Sequence, residues 1–310
     1  MNAEQQQHLT KIRKLIGSDD PDWVQQGLEL LDALEDPALW AVLAAGLSVD
    51  GEGNVVIPED SEVRATVAGA HRVGVALWAL NRTGRLQEVT SLDLNGCMSL
   101  ENVDGLKGCT NLTSLSLRGC ESLENVDGLK GCTDLTTLNL SGCKSLQNVD
   151  GLKGCTNLTD LSLWGCSSLQ DVDGLEGCTN LKILNLRECR SLQNVDVLEG
   201  CTNLKTLYLG SGTFTALQSR GALGVLKSLP NLTILYLSKC SSLQNVDVLK
   251  GCTNLTRLIL NGCESLENVD GLKGCTNLTS LDLSRCTSLQ GIAPKYYSGA
   301  ATIRALFSRP

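Results

Sequence analysis

Fifteen cysteines set a spacing that few folds can accommodate. From Cys97 to Cys286 they follow one another at alternating steps of 12 and 11 residues, broken once, so that each pair of steps spans 23 residues. A period of this size marks stacked copies of one small unit. The unit starting at Leu112 reads LTSLSLRGCESLENVDGLKGCTD, and near copies start at residues 89, 135, 158, 181, 204, 232, 255 and 278. Seven of the intervals are 23 residues; the one running from Leu204 to Asn231 is 28.

Apolar residues in the unit follow LxxLxLxxCxxLxxVxxLxxC. The LxL segment alternates as a strand does, and the later Leu, Val, Leu and Cys recur every third residue, as in a tight helical turn. One unit cannot bury both its strand and its turn, whereas stacked units share a continuous core. Aromatic residues make up only 3% of the chain, so leucine must carry that core. Parallel strands about 4.8 Å apart give an array roughly 40 Å long.

The spacing in LTSLSLRGC, LTTLNLSGC and LTDLSLWGC resembles the leucine-rich repeat family, in a short cysteine-containing form similar to some bacterial and trypanosomal proteins. The resemblance implies an α/β leucine-rich repeat solenoid. A curved parallel sheet would line its concave face, with 3₁₀ or short turns on the convex face. It also implies a module that binds another protein rather than an enzyme.

Such a solenoid needs covered ends, which divides the chain into an α-helical N-terminal cap at 1–88, nine repeats at 89–290 and a C-terminal cap at 291–310. In the first, Asp20 before Pro21 and Asp36 before Pro37 start amphipathic helices, and Ser61 starts another. Residues 49–60 read as a loop or small hairpin. Trp23, Trp40 and Trp78 are expected to form the core of this cap. At the other end, Ile303, Leu306 and Phe307 of a short helix are expected to cover the last repeat.

The cysteines form two columns, one after each strand and one before the next, at positions flanked by Leu and Val. This predicts small, buried, free thiols. With no CxxC pair and only His8 and His71 as histidines, the pattern argues against a metal or redox centre. Asn111, Asn157, Asn231, Asn254 and Asn277, before successive strands, and Asn81 match the glycosylation acceptor pattern; the repeated ones read instead as a ladder of turn-bonding amides. Gly105, Gly128, Gly151, Gly174 and Gly271 follow an Asp, which reads as a cap for the convex turn; Val197 and Val248 replace that glycine.

A net charge of −8 without a Lys/Arg run gives no attraction to phosphate, so nucleic acid is not an expected partner. No apolar stretch is long enough for a membrane span, and MNAEQQQHLTKIRK lacks the features of a signal peptide, so a cytoplasmic protein is expected. The sequence shows no phosphate loop, nucleophile elbow or paired histidines, hence no cofactor and no small-molecule substrate is expected.

Because the units are near copies, their differences carry the functional reading. Residues beside the strand leucines point to the concave surface. There the side chains change from small and polar to Trp164, Ile183, Arg187, Tyr208, Ile234, Tyr236, Arg257 and Ile259. Aromatics and arginines grouped this way have the composition of a protein-binding hot spot. Glu188, Arg190 and Lys239 would add a charged rim. The expected function is a non-enzymatic protein-binding module. A regulatory subunit that occludes a bacterial protease, nuclease or toxin is the alternative, and a structural spacer the plainest one.

In the long repeat, Gly212 and Leu229 stand where cysteines are due, and Thr215 to Gln218 has a capping-box pattern before Pro230. This predicts a convex helix over residues 216–229, despite Gly221 and Gly224. Phe214 is expected either to anchor that helix or to join the concave patch.

Overall fold

A computed structural model describes residues 1–67, 69–219 and 223–307. The chain opens with three helices, α1 (Ala3–Ile16), α2 (Pro21–Ala33) and α3 (Pro37–Leu43). A hairpin, β1 (Ser48–Val49) and β2 (Val55–Val56), leads to α4 (Glu62–Thr66) and α5 (Arg72–Arg82). Asp20 and Asp36 accept backbone N–H bonds from Asp22 and Ala38, and Ser61 accepts from Arg64, so the three predicted helix starts are capped as the sequence indicates. Helix α1 was not read from the sequence; its start is a reciprocal capping box between Asn2 and Gln5. The segment after Ser61 is not one helix, because Val67 turns extended and a new helix begins at Arg72.

Trp40 and Trp78 stack with centroids 6.3 Å apart, and Arg82 lies over Trp78 while its Nε donates to Asp32 at 2.8 Å. Trp23 departs from expectation: it is 46% exposed, because Val24, Leu28 and Leu31 form the buried stripe of α2.

Nine parallel strands follow: β3 (Ser91–Asp93), β4 (Ser114–Ser116), β5 (Thr137–Asn139), β6 (Asp160–Ser162), β7 (Ile183–Asn185), β8 (Thr206–Tyr208), β9 (Ile234–Tyr236), β10 (Arg257–Ile259) and β11 (Ser280–Asp282). Each pairs with the next in one register, so equivalent residues of successive repeats stand side by side. The central leucines, from Leu92 to Leu281, are buried, and their neighbours face outward. One apolar core runs from Leu9 to Ile303.

Both edges of the sheet are occupied. At β3, Asp93 N–H donates to the Gly53 carbonyl at 2.8 Å and Asn54 forms a parallel bridge to Asp93. At β11, β12 (Tyr296–Ser298) pairs antiparallel, and α7 (Ala300–Phe307) follows with Ile303 buried and Leu306 and Phe307 packed partly against the core. β12 then forms the outer edge of the sheet, and at three residues it is a short edge of the kind that limits pairing with another chain.

On the convex side, 3₁₀ turns such as Asp104–Leu106 and Asp127–Leu129 stack at each repeat. Their cap is not the Asp. Asn102, Asn125, Asn148 and Asn268 accept from the N–H of the Asp two residues later, while the Asp pairs with a Lys three residues on, as Asp127 does with Lys130 at 2.9 Å. The glycine has a different cause, which is space. A Cβ on Gly128, Gly151 or Gly174 would stand 1.9, 1.8 or 1.9 Å from a carbonyl oxygen of the preceding turn. Val197, Val225 and Val248 take this place in three consecutive repeats, where the turns must therefore stand farther apart.

The middle of those three is the long repeat. Its helix, α6, spans Ser211–Ser219, directly after β8, and a 3₁₀ turn occupies Gly224–Ser228. The expected helix over 216–229 is thus displaced toward the strand, and Thr215 lies inside it rather than at its cap. Gly221 lies outside the described residues. Two buried side chains, Thr213 and Phe214, fix this start.

Candidate functional site

The thiol ladder sets the floor beneath the concave surface. All fifteen cysteines are free, and all but Cys97 are buried. In the column after the strands, six thiols donate to a leucine carbonyl of the preceding repeat, among them Cys120 to Leu94 at 3.2 Å, Cys143 to Leu117 at 3.2 Å, Cys166 to Leu140 at 3.1 Å and Cys189 to Leu163 at 3.1 Å. Thr213, not Gly212, supplies the next rung. Its Oγ1 donates to the Leu186 carbonyl and accepts from Cys189 N–H at 2.9 Å. The second column is looser, with Cys132 and Cys155 each 3.7 Å from their carbonyls. Burial pushes Cys109 and Cys178 up to about 11 and Cys132, Cys155 and Cys201 up to about 12, so these thiols stay protonated and inert.

The asparagine ladder is also present. Asn111 donates through Nδ2 to the Gln87 carbonyl at the end of the cap at 2.6 Å, and Asn157, Asn254 and Asn277 donate to carbonyls of the preceding repeat at 2.6 to 3.1 Å. Asn231 does the same to Thr202, and Asn81 ties α5 to the Lys107 carbonyl. These amides are engaged in holding repeats together.

Above this floor the outward residues form three rows. The in-register pair Tyr208 and Tyr236 stacks, with ring centroids 4.2 Å apart and planes 13° from parallel. The Arg187 guanidinium carbon lies 4.9 Å from the Tyr208 ring centroid and 5.3 Å from that of Tyr236. A stacked aromatic pair adds about 0.5–1.5 kcal/mol beyond its area, and a cation over a ring about 0.5–2 kcal/mol. Three side chains from three consecutive repeats are therefore held together before any partner arrives. Burial first, and then Tyr236, push the Tyr208 hydroxyl above its ordinary value, with the Arg187 charge acting the other way.

Around this stack, Trp164 is 46% and Ile183 39% exposed, Ile234 and Ile259 are half-buried, and Arg257 is exposed. Thr206, buried between Ile183 and Ile234 in the same row, continues the surface at a lower level. Trp164 occupies the exit of β6 and Arg187 the same place after β7. Phe214 does not belong here. It is fully buried under α6, so of the two places open to it the core is the one it takes.

The rim has a backbone signature that sequence reading did not register. Gly96, Gly119, Gly142, Gly165 and Gly262 hold φ between 72° and 79° just before the thiol column. At the same place Glu188, Lys239 and Arg285 adopt φ of 61°, 59° and 61°. For residues with a Cβ this left-handed conformation costs about 1–2 kcal/mol each. The clue in the sequence was the column of glycines, against which three charged residues stand out. Glu188 pairs with Arg190 at 2.9 Å, and Lys239 is exposed.

Among known families, the BspA-type leucine-rich repeat region matches residues 88–211 in six copies, and the Zer-1-like leucine-rich repeats match residues 223–307. None of the curated proteins matches the chain in sequence. Among solved structures, the leucine-rich repeat domain of the type III effector XopL superposes with a TM-score of 0.56 at 17% identity, over 94% of this chain and 90% of that one. Internalin C2 of Listeria monocytogenes gives 0.47 at 21% identity, over 59% of this chain and 76% of its own. At these identities the likeness is one of fold. With two such repeat families matched on either side of the long repeat, and nine strands stacked in one register, the chain belongs to the leucine-rich repeat family.

Proposed function

We propose that this protein is a non-enzymatic binding module whose concave face captures another protein, centred on β7 to β10. Leucine-rich repeats commonly serve protein–protein interaction. The observation that carries the reading for this chain is the Arg187–Tyr208–Tyr236 stack. Rigid aromatic and arginine side chains already in contact lose little entropy on binding, and such groups dominate protein interfaces. Trp164, Ile183, Ile234, Arg257 and Ile259 extend the contact area, and Lys239 contributes to the rim. Residues 1–88 and 291–310 act as caps rather than as further functional units. No helix among the described residues is long and apolar enough to cross a membrane.

The test is affinity capture from the native host with the wild-type chain and with a variant carrying Arg187→Ala, Tyr208→Ala and Tyr236→Ala. The three substitutions lie on the outward layer and remove only the contacts of the stack, so circular dichroism should keep its shape while the thermal midpoint falls modestly. A specific partner should be lost from the variant. A partner held equally by both proteins overturns the reading. Whether a captured enzyme loses activity on binding separates an inhibitor from a scaffold.

A further inference from the structure

Charge is divided unevenly along the concave side. Before β7 the outward positions carry Asp93 and Asp160 against Arg118. From β7 onward they carry Arg187 and Arg257 against Asp282, and the rim adds Lys239 and Arg285 against Glu188, so this half still carries more cations than acids. Among the described residues, no ion pair engages Arg257, Lys239 or Arg285. The acids nearby have other bonds: Glu188 holds Arg190, and Asp282 accepts from Ser284 N–H at 2.9 Å. A chain with a net charge of −8 thus gathers unpaired cations on one half of one face, next to exposed apolar side chains.

The backbone adds an independent argument. Lys239 and Arg285 occupy left-handed positions that five other repeats fill with glycine. A glycine there would remove the strain and the charge together. Strained residues persist where the surrounding structure holds them, and they cluster at ligand clamps.

We infer that the face from β7 to β11 takes an extended acidic peptide segment. Its carboxylates meet Arg257, Lys239 and Arg285, and its large apolar side chain lies against Tyr236 and Ile259. This rests on the concave-face reading above and narrows it to one class of partner. The five strands span about 20 Å, which about six or seven extended residues cover. Arginine binds carboxylates through paired, charge-assisted bonds. Complementary charge around an apolar centre raises association rate and rejects basic competitors.

The test is selection from a random peptide display library, about twelve residues long so as to exceed the span, on the full chain. The enriched pool is then measured by fluorescence anisotropy against the wild type, the stack variant described above, and a Lys239→Glu, Arg257→Glu variant. The expected result is a pool rich in Asp and Glu with at least one aromatic or large aliphatic residue. Its affinity should fall at least tenfold on charge reversal and weaken as salt is raised. A pool as rich in Lys and Arg as in Asp and Glu, or one indifferent to charge reversal, overturns the acidic-segment proposal; dependence on the stack would leave the concave-face reading standing. A pool indifferent to the stack as well overturns both. Failure to enrich any peptide overturns the proposal, since a preformed extended site should select one.

Discussion

The Cβ that Gly210 lacks would stand 3.0 Å from Cγ of Arg187. The empty side-chain position after β8 is therefore what allows the Arg187 stem to cross to the next repeat and bring its guanidinium over both tyrosines. Gly210→Val should displace Arg187 while leaving the tyrosine pair in place. Partner affinity is expected to fall about tenfold, or about 1.4 kcal/mol, with little change in thermal midpoint. Calorimetric titration with a captured partner checks this; an unchanged affinity would mean that Arg187 does not act through the stack.

Thr213 fills a rung that cysteine fills in other repeats. Thr213→Val keeps the volume but strands the Leu186 carbonyl and the Cys189 N–H, and should cost about 1–3 kcal/mol. Thr213→Cys restores a donor of the kind used by Cys189 and should cost less than half as much. Urea denaturation of the two variants distinguishes them, and equal losses would argue against a hydrogen-bonding role.

The two glycine columns are required for different reasons, and substitution separates them. Gly151→Ala puts a methyl group 1.8 Å from the Val126 carbonyl and must push two turns apart, at a cost of about 3 kcal/mol or more. Gly154 has φ of 96° and nothing within 4 Å of its Cβ, so Gly154→Ala should cost only the backbone strain, about 1–2 kcal/mol. The order of the two denaturation midpoints is the readout.

Stability should fall steeply in alkali. Burial raises Cys109 and Cys178 to about 11 and Cys132, Cys155 and Cys201 to about 12, whereas unfolded thiols release their protons near 8.5. Between those values the unfolded chain binds fewer protons than the folded one, so rising pH favours unfolding. The stabilisation is complete below about pH 8 and is lost progressively up to the folded values. Urea midpoints measured under reducing conditions should be level from pH 6 to 8 and drop sharply by pH 10. A level profile through pH 10 would show that the thiols are not buried in solution.

The strand register was legible because leucine has a single role in every unit, so Leu115 and Leu138 could be aligned by counting. The outward rows follow from alternation alone, which is why counting puts Tyr208 and Tyr236 on one surface. What counting could not supply was the relation between neighbouring repeats. That Gly210 makes room for Arg187, or that Gly128 makes room for the Val103 carbonyl, depends on the distance between units, and the sequence of one unit does not contain it. The long repeat was misread for a related reason. The local capping pattern at Thr215 was outweighed by two burial requirements just before it, Thr213 in the rung and Phe214 in the core. Trp23 is exposed because its angular position on α2 lies off the stripe of Val24, Leu28 and Leu31.

The occupied sheet edges give the molecule fixed end stops. Gly53 and Asn54 fit the particular edge of β3, and β12 fits that of β11, so neither junction is indifferent to which repeat it meets. A unit duplicated or deleted from the middle would leave both junctions untouched and merely slide them apart or together by one strand spacing, about 4.8 Å. Length is thus adjustable by whole steps from within. The reach of the concave surface could be tuned without redesigning either terminus, and engineered arrays with one of the near-identical units between Leu112 and Leu158 removed should fold as a shorter version of the same ruler.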